Sequence, residues 1–93
     1  MSLQRDNFWE EFERVLIPKG WVLVDGTRYD PTVINGVTPG GRSFTLVAQD
    51  DTITLTVAGR TRTVTRIKEQ WEDGSLTVAA MEEALNLLPA NQR

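Results

Sequence analysis

The chain has 93 residues, a length that suits one domain, and its 40% hydrophobic and 25% charged residues are typical of a globular fold. It contains no cysteine and no histidine, which excludes disulfides, thiolate metal sites, thiol nucleophiles and imidazole bases. The formal net charge of −3 is unevenly spread, because residues 42–68 carry five basic and two acidic groups and residues 69–93 carry one basic and five acidic groups.

The sequence also predicts a compartment and a domain count. No apolar run approaches the length of a membrane-spanning helix, and the first residues lack the apolar segment of a signal peptide. Because small secreted domains usually rely on disulfides, the lack of cysteine favours a reducing environment. We therefore expect a cytoplasmic protein without a membrane association. We treat residues 1–93 as a single domain, since no linker or repeat interrupts them.

Residues 4–17 are predicted to form an amphipathic helix. Acidic side chains cover one side of it, and Pro18 and Gly20 end it. The apolar side chains recur at three- and four-residue spacing and form one stripe: Phe8, Trp9, Phe12, Val15 and Leu16.

Two strands and a loop are predicted next. The apolar run at residues 21–25 predicts the first strand, and Asp25-Gly26 is a turn signal after it. Residues 28–34 form the second strand, which Pro31 restricts to an edge, a bulge or a break because proline cannot donate to a ladder. Asn35-Gly36 and Pro39-Gly40-Gly41 predict a loop over residues 35–42.

Three further strands follow with short turns. Residues 43–49 and 52–58 alternate apolar and polar side chains with the period of a strand, and residues 61–68 form the last strand. The turns are predicted at Asp50-Asp51 and at Ala58-Gly59-Arg60. Sequential strands with short turns form an antiparallel meander.

A second helix is predicted after Asp73-Gly74. Thr77 is a suitable N-cap, and Pro89 ends the helix. Its apolar stripe is Val78, Met81, Leu85 and Leu88. We therefore predict an α+β fold with an N-terminal helix, a meander of about five antiparallel strands and a C-terminal helix. A strongly curled or barrel-like sheet is the alternative.

Arginine and threonine alternate in the last predicted strand. By the period of a strand, one face carries Arg60, Arg62, Val64, Arg66 and Lys68, and the other carries Thr61, Thr63, Thr65 and Ile67. The register of the hairpin decides which of the two sides points toward the core, because a shift of one residue exchanges them.

Two registers of this hairpin are possible, and they bury different polar groups. A two-residue turn at Gly59-Arg60 pairs Leu55 with Val64 and places arginines on the core side, where each unpaired guanidinium costs several kcal/mol. A three-residue turn at Ala58-Gly59-Arg60 pairs Leu55 with Thr63 and places threonines there, at roughly 1–3 kcal/mol per unpaired hydroxyl. We therefore predict the second register, which turns the arginines into water on the open face of the sheet.

This basic face and one tryptophan are the candidate binding residues. A flat basic surface suits a phosphate backbone or an acidic partner, although it lacks the aromatic groups that stack on bases. The tryptophan follows the last strand, where partial exposure would make it an interface anchor. The candidates are Arg60, Arg62, Arg66, Lys68 and Trp71. In the alternative interpretation, the arginines pair with carboxylates of neighbouring strands or helices.

No arrangement of residues predicts catalysis. The serines have no histidine to activate them and none lies in a nucleophile elbow. The adjacent carboxylates Asp50-Asp51 and Glu82-Glu83 are typical of a solvated turn and a helix surface. We expect no enzymatic activity, no cofactor and no metal site.

We therefore expect a non-enzymatic binding module that contacts another protein or itself, most simply as a homodimer. Two alternatives remain open. One is nucleic-acid binding through the basic face, and the other is binding of a small molecule between helix and sheet.

Overall fold

The fold is α+β, with one helix before and one helix after a five-stranded antiparallel sheet in chain order. A computed structural model of the chain describes residues 7–28, 32–66 and 74–93. The elements in chain order are helix α1 (Asn7–Leu16), strands β1 (Val22–Arg28), β2 (Thr32–Val37), β3 (Ser43–Gln49), β4 (Thr52–Val57) and β5 (Arg60–Thr65), and helix α2 (Gly74–Asn86). The predicted class and element order are confirmed.

The sheet is an open meander. Its strand order is β1-β2-β3-β4-β5, so β1 and β5 are its two edges and the barrel-like alternative is not formed. Every neighbouring pair of strands is antiparallel, as short sequential connections require.

Helix α1 packs against the core through residues of the predicted apolar stripe. Phe12 and Leu16 are fully buried, and Val15 packs against the core. A 3₁₀ turn over Ile17–Lys19 follows, and Gly20 closes it in the left-handed region with φ of 95°, donating its N–H to the carbonyl of Ile17. The side chains of Phe8 and Trp9 lie outside the described part of the chain.

The hydrophobic core lies between the helices and one face of the sheet. Helix α2 packs against β4, β5 and α1. The sheet contributes Ile34, Phe44, Leu46, Ala48, Ile53, Leu55, Val57 and Val64 to this core. The predicted stripe Val78, Met81, Leu85 and Leu88 is buried. Within the described residues, no helix is both long and apolar enough to cross a bilayer.

The N-cap prediction for α2 is wrong. The helix begins at Gly74 and Thr77 is fully buried inside it. The low helix propensity of glycine is a weak signal, which tertiary packing readily overrides.

Two predicted turn signals lie inside strands instead. Asp25-Gly26 belongs to β1, which carries a bulge at Val24, and Asn35-Gly36 belongs to β2. The glycine of β2 is a packing residue, because a Cβ on it would lie 2.0 Å from the carbonyl oxygen of Val22 and 2.8 Å from the ring of Phe44. Close approach, not a turn, therefore explains this glycine.

The predicted register of the last hairpin is wrong. Leu55 pairs with Arg62 and Val57 pairs with Arg60, so the turn consists of Ala58 and Gly59 alone. Both turn residues have positive φ, 50° and 82°, as a type I′ turn requires. This turn was not predicted because alanine rarely adopts that conformation.

The observed register reverses the predicted faces of β5. Val64 is buried, and the arginines on its side of the strand face α2, while the threonines face away from the helices. The expected cost of burying unpaired arginines does not arise in this register. Since β5 is an edge strand, the long side chains of Arg62 and Arg66 reach the rim of the core, where they remain partly exposed and hydrogen bonded.

Substitution Gly36→Ala is expected to lower the free energy of unfolding by about 3 kcal/mol, because the added methyl group overlaps backbone and ring atoms. The control Gly41→Ala, where a Cβ meets no atom within 4 Å, should lose only about 1 kcal/mol from its positive φ. Urea unfolding measures both. Equal losses would contradict the close approach.

Substitution Ala58→Asn is expected to raise the free energy of unfolding by about 0.5–1 kcal/mol, because Asn-Gly is the favoured pair in a type I′ turn. The control Ala79→Asn, at an exposed position of α2, should lose about 0.5 kcal/mol through helix propensity. Thermal and urea unfolding compare the two. A loss of stability at position 58 would contradict the observed register.

Candidate functional site

The face of the sheet that points away from the helices is the most distinctive surface of the described chain. Threonine and valine dominate it, and its side chains are half-exposed or exposed. We call this surface the open face. It consists of Val22, Asp25, Thr27, Val33, Asn35, Val37, Ser43, Thr45, Val47, Gln49, Thr52, Thr54, Thr56, Thr61, Thr63 and Thr65.

A row of polar side chains crosses the open face from one edge to the other. The register aligns Asp25, Asn35, Thr45, Thr56 and Thr61 on successive strands. Asn35 Nδ2 donates to Asp25 Oδ1 at 2.7 Å, and Thr45 Oγ1 donates to Asn35 Oδ1 at 2.9 Å. The hydroxyls of Thr56 and Thr61 are 2.9 Å apart. These polar groups therefore form part of their hydrogen bonds with one another.

The next row is more apolar. It aligns Thr27, Val33, Val47, Thr54 and Thr63. The hydroxyls of its last two members are 3.2 Å apart and form a cross-strand hydrogen bond. The centre of the open face thus presents valine methyl groups flanked by paired hydroxyls.

The open face is almost free of ionised side chains. Among its residues only Asp25 is ionisable, and it lies on edge strand β1 against the amide of Asn35. The ion pairs between Lys19 and Glu82, at 2.8 Å, and between Arg66 and Glu83 lie instead on the helix side. The two layers of the fold therefore differ in charge.

The predicted basic face is not formed by the described residues. Arg60 is exposed beside the hairpin turn, while Arg62 and Arg66 lie at the edge between β5 and α2. Lys68 and Trp71 lie outside the described residues. Three of the candidates are thus near one edge of the sheet, but they do not share a flat surface with the strands.

The two displaced arginines bind groups of their own chain. Arg62 donates through Nη1 to the carbonyl of Thr61 at 2.8 Å and through Nε to that of Leu87 at 3.5 Å. Arg66 donates through Nη1 to the carbonyl of Thr65 at 2.7 Å and pairs with Glu83. The ion pair agrees with the alternative interpretation in which the arginines meet carboxylates of a neighbouring helix. These guanidinium groups are therefore partly engaged before any phosphate approaches.

The described residues offer little of what a metal ion or a small ligand needs. They contain no cluster of three or more histidine, cysteine, aspartate or glutamate side chains. The buried core lies between the helices and the sheet. The depressions among the described residues include an open one of about 270 Å³ on the outer face of the sheet, lined by Asp25, Gly26, Thr27, Val33 and Asn35. Another, of about 510 Å³, is lined by Glu10, Glu13, Arg14, Ile17 and Pro18.

The sequence carried one signal for the open face. Threonine recurs at every second position of β4 and again of β5, and such alternation predicts a common side of each strand. In β4 the alternation with buried Ile53, Leu55 and Val57 places the threonines on the open face, whereas in β5 their side depends on a hairpin turn that the sequence does not reveal. The hydrogen-bonded row from Asp25 to Thr45 had no signal, because it joins strands whose register was not predicted.

The double variant Arg62→Ala plus Arg66→Ala is expected to change the affinity for a single-stranded or duplex oligonucleotide by less than about threefold, since no continuous basic face is lost. Fluorescence anisotropy at two salt concentrations measures this. Tight binding by the wild-type protein that falls steeply with salt and with the double variant would contradict the expectation.

Comparison of the chain with protein-family models, with curated proteins and with solved structures gives no match. The function is therefore inferred from the geometry and chemistry of the surface alone.

Proposed function

We propose that the protein is a non-enzymatic binding module that associates with a second copy of itself through the open face. The observation that carries the proposal is a sheet face of valine and threonine that no other described element covers and whose only ionisable side chain is Asp25 at its margin. An unpaired face of this composition is suited to packing against a similar surface.

Five hydroxyl groups of the open face favour such packing because they are hydrogen bonded within it. Thr54 bonds with Thr63, Thr56 bonds with Thr61, and Thr45 bonds with Asn35. Burying a polar group is expensive mainly when its hydrogen bonds are lost. These side chains keep a hydrogen bond when water is displaced, and they present methyl groups to a partner.

Charge favours a second copy over a strongly charged partner. Two copies that meet through their open faces bring no like charges together at the centre of the contact, since the one ionisable residue of that face, Asp25, lies on edge strand β1. A strongly acidic or basic partner would find no counter-charge there. A neutral, self-complementary patch is the kind that a two-fold interface uses.

The size of the open face predicts weak association. Five strands spaced by about 4.8 Å, each about 20 Å long, give a projected face of roughly 400 Å². A standard interface buries about 800 Å² of accessible surface per partner. We therefore expect a dimer that forms reversibly, with a dissociation constant on the order of 10–100 μM.

The proposed lack of enzymatic activity is supported by the side chains that the chain contains. Histidine and cysteine, which supply most general bases and nucleophiles, are missing from all 93 residues. A cytoplasmic location and a function without cofactors fit the same composition.

Substitution Val47→Lys is expected to weaken dimerisation by at least about tenfold, because it places a charge at the centre of the open face between Val33 and Thr54. The matched control Ala79→Lys adds the same charge at an exposed position of α2 and should leave dimerisation unchanged. Sedimentation equilibrium over about 1–500 μM protein measures the dissociation constants.

A wild-type protein that stays monomeric over the whole concentration range would refute self-association. Equal weakening by both lysine variants would refute the open face as the contact surface. Circular dichroism of each variant shows whether the fold is retained, and Thr54→Lys, in the same row, provides a second substitution if Val47→Lys unfolds the protein.

A further inference from the structure

Within the described residues, no strand pairs with the outer edge of β5, which therefore exposes the backbone groups of three residues. In the hairpin, Val57 pairs with Arg60 and Leu55 pairs with Arg62, and a two-residue turn makes the pair that closes it a hydrogen-bonded one. The N–H of Arg66 donates to the carbonyl of Asp51 at 2.6 Å and continues the same series. Even-numbered residues of β5 therefore bond to β4, and the odd-numbered residues direct N–H and C=O groups away from the sheet.

Those outward residues are Thr61, Thr63 and Thr65, and arginine side chains occupy two of their carbonyls. Arg62 binds the carbonyl of Thr61 at 2.8 Å, and Arg66 binds that of Thr65 at 2.7 Å. Each arginine directly follows in sequence the residue whose carbonyl it binds, so its side chain turns back along the edge.

Contacts with the α2 side of the molecule hold both guanidinium groups in place. Arg62 Nε also reaches the carbonyl of Leu87, just after α2, and Arg66 also pairs with Glu83 of α2. The two cations are thereby held between the sheet edge and the helix layer. An incoming strand would have to displace them and remove their charge from water.

We infer that Arg62 and Arg66 close the β5 edge against strand addition by a second copy of this chain. An exposed edge with free carbonyl and amide groups is a template for pairing with another strand, and inward-pointing charges are one means by which proteins block it. Here the block is specific, because the cations bind the acceptors that an incoming strand would use. The inference concerns the edge and stands independently of the open face.

The double variant Arg62→Ala plus Arg66→Ala tests this closure. It is expected to raise the tendency to associate by at least about tenfold, because two outward carbonyls and the edge itself become accessible. Size-exclusion chromatography with light scattering, at matched concentrations, measures the change. The edge-paired species should also bind thioflavin T more strongly than the wild-type protein does.

Two controls separate edge closure from net charge and from the ion pair. Arg14→Ala plus Arg60→Ala removes the same charge at exposed positions and should not promote association. Glu83→Gln removes the ion pair but keeps an amide oxygen that can accept from Arg66, and Arg66 stays on its carbonyl, so this variant should also behave like the wild-type protein.

Hydrogen exchange locates the new contact. The outward amides of Thr61, Thr63 and Thr65 should exchange fast in the wild-type protein and become protected in the associated double variant. Adding Thr63→Pro to the double variant should reverse association, since proline removes an outward N–H without breaking the ladder to β4. Thr63→Ala is its control, because it changes the open face and keeps the N–H.

The inference is overturned if the double variant associates no more than the Arg14 and Arg60 control. It is also overturned if association occurs while the outward amides stay unprotected and Thr63→Pro has no effect. Circular dichroism checks folding of each variant, and Arg62→Ala alone, which spares the Glu83 ion pair, is the substitution to use if the double variant unfolds.

Discussion

The two-residue turn at Ala58-Gly59 is the constraint on which the surfaces of this protein depend. It sets the register between β4 and β5, and a shift of one residue would exchange the two faces of β5. Its positive φ angles match the right-handed twist of a hairpin, which outweighs the strain of alanine in the left-handed region. Because of this turn, Val64 completes the core and the threonines of β5 extend those of β4.

Four arginines of the described chain bind backbone carbonyls at or near places where regular structure ends. Arg62 and Arg66 do so along the edge of β5. Arg93 binds the carbonyls of Leu88 and Asn86 at the end of α2, and Arg42 binds that of Asn91. The last carbonyls of a helix and the outer carbonyls of an edge strand both lack partners within their own element. Guanidinium groups are suited to this task because they offer several donors in a fixed plane.

The sheet separates a charged layer from a neutral one. Ion pairs such as Lys19 with Glu82 lie on the helix side, whereas the open face carries hydroxyls, amides and methyl groups. In the proposed dimer, the copies meet on the neutral side, and the proposed role of the arginines on the β5 edge is to favour face contact over strand pairing. The proposed dimer surface and the proposed edge closure thus act in the same direction, although each rests on its own contacts.

The sequence by itself determined the α+β class, the order of elements and most of the core, because hydrophobic periodicity reports burial directly. Examples are the buried stripe from Val78 to Leu88 and the alternation of buried and exposed side chains in residues 43–49. Only the tertiary structure decided which side of β5 faces the helices, since that depends on one alanine in an unfavourable conformation. It also decided the role of Gly36, because close approach of Phe44 leaves no local signal. The tertiary structure also decided the hydrogen-bonded row from Asp25 to Thr45. Its members are far apart in sequence and meet only through strand register, which local propensity does not encode.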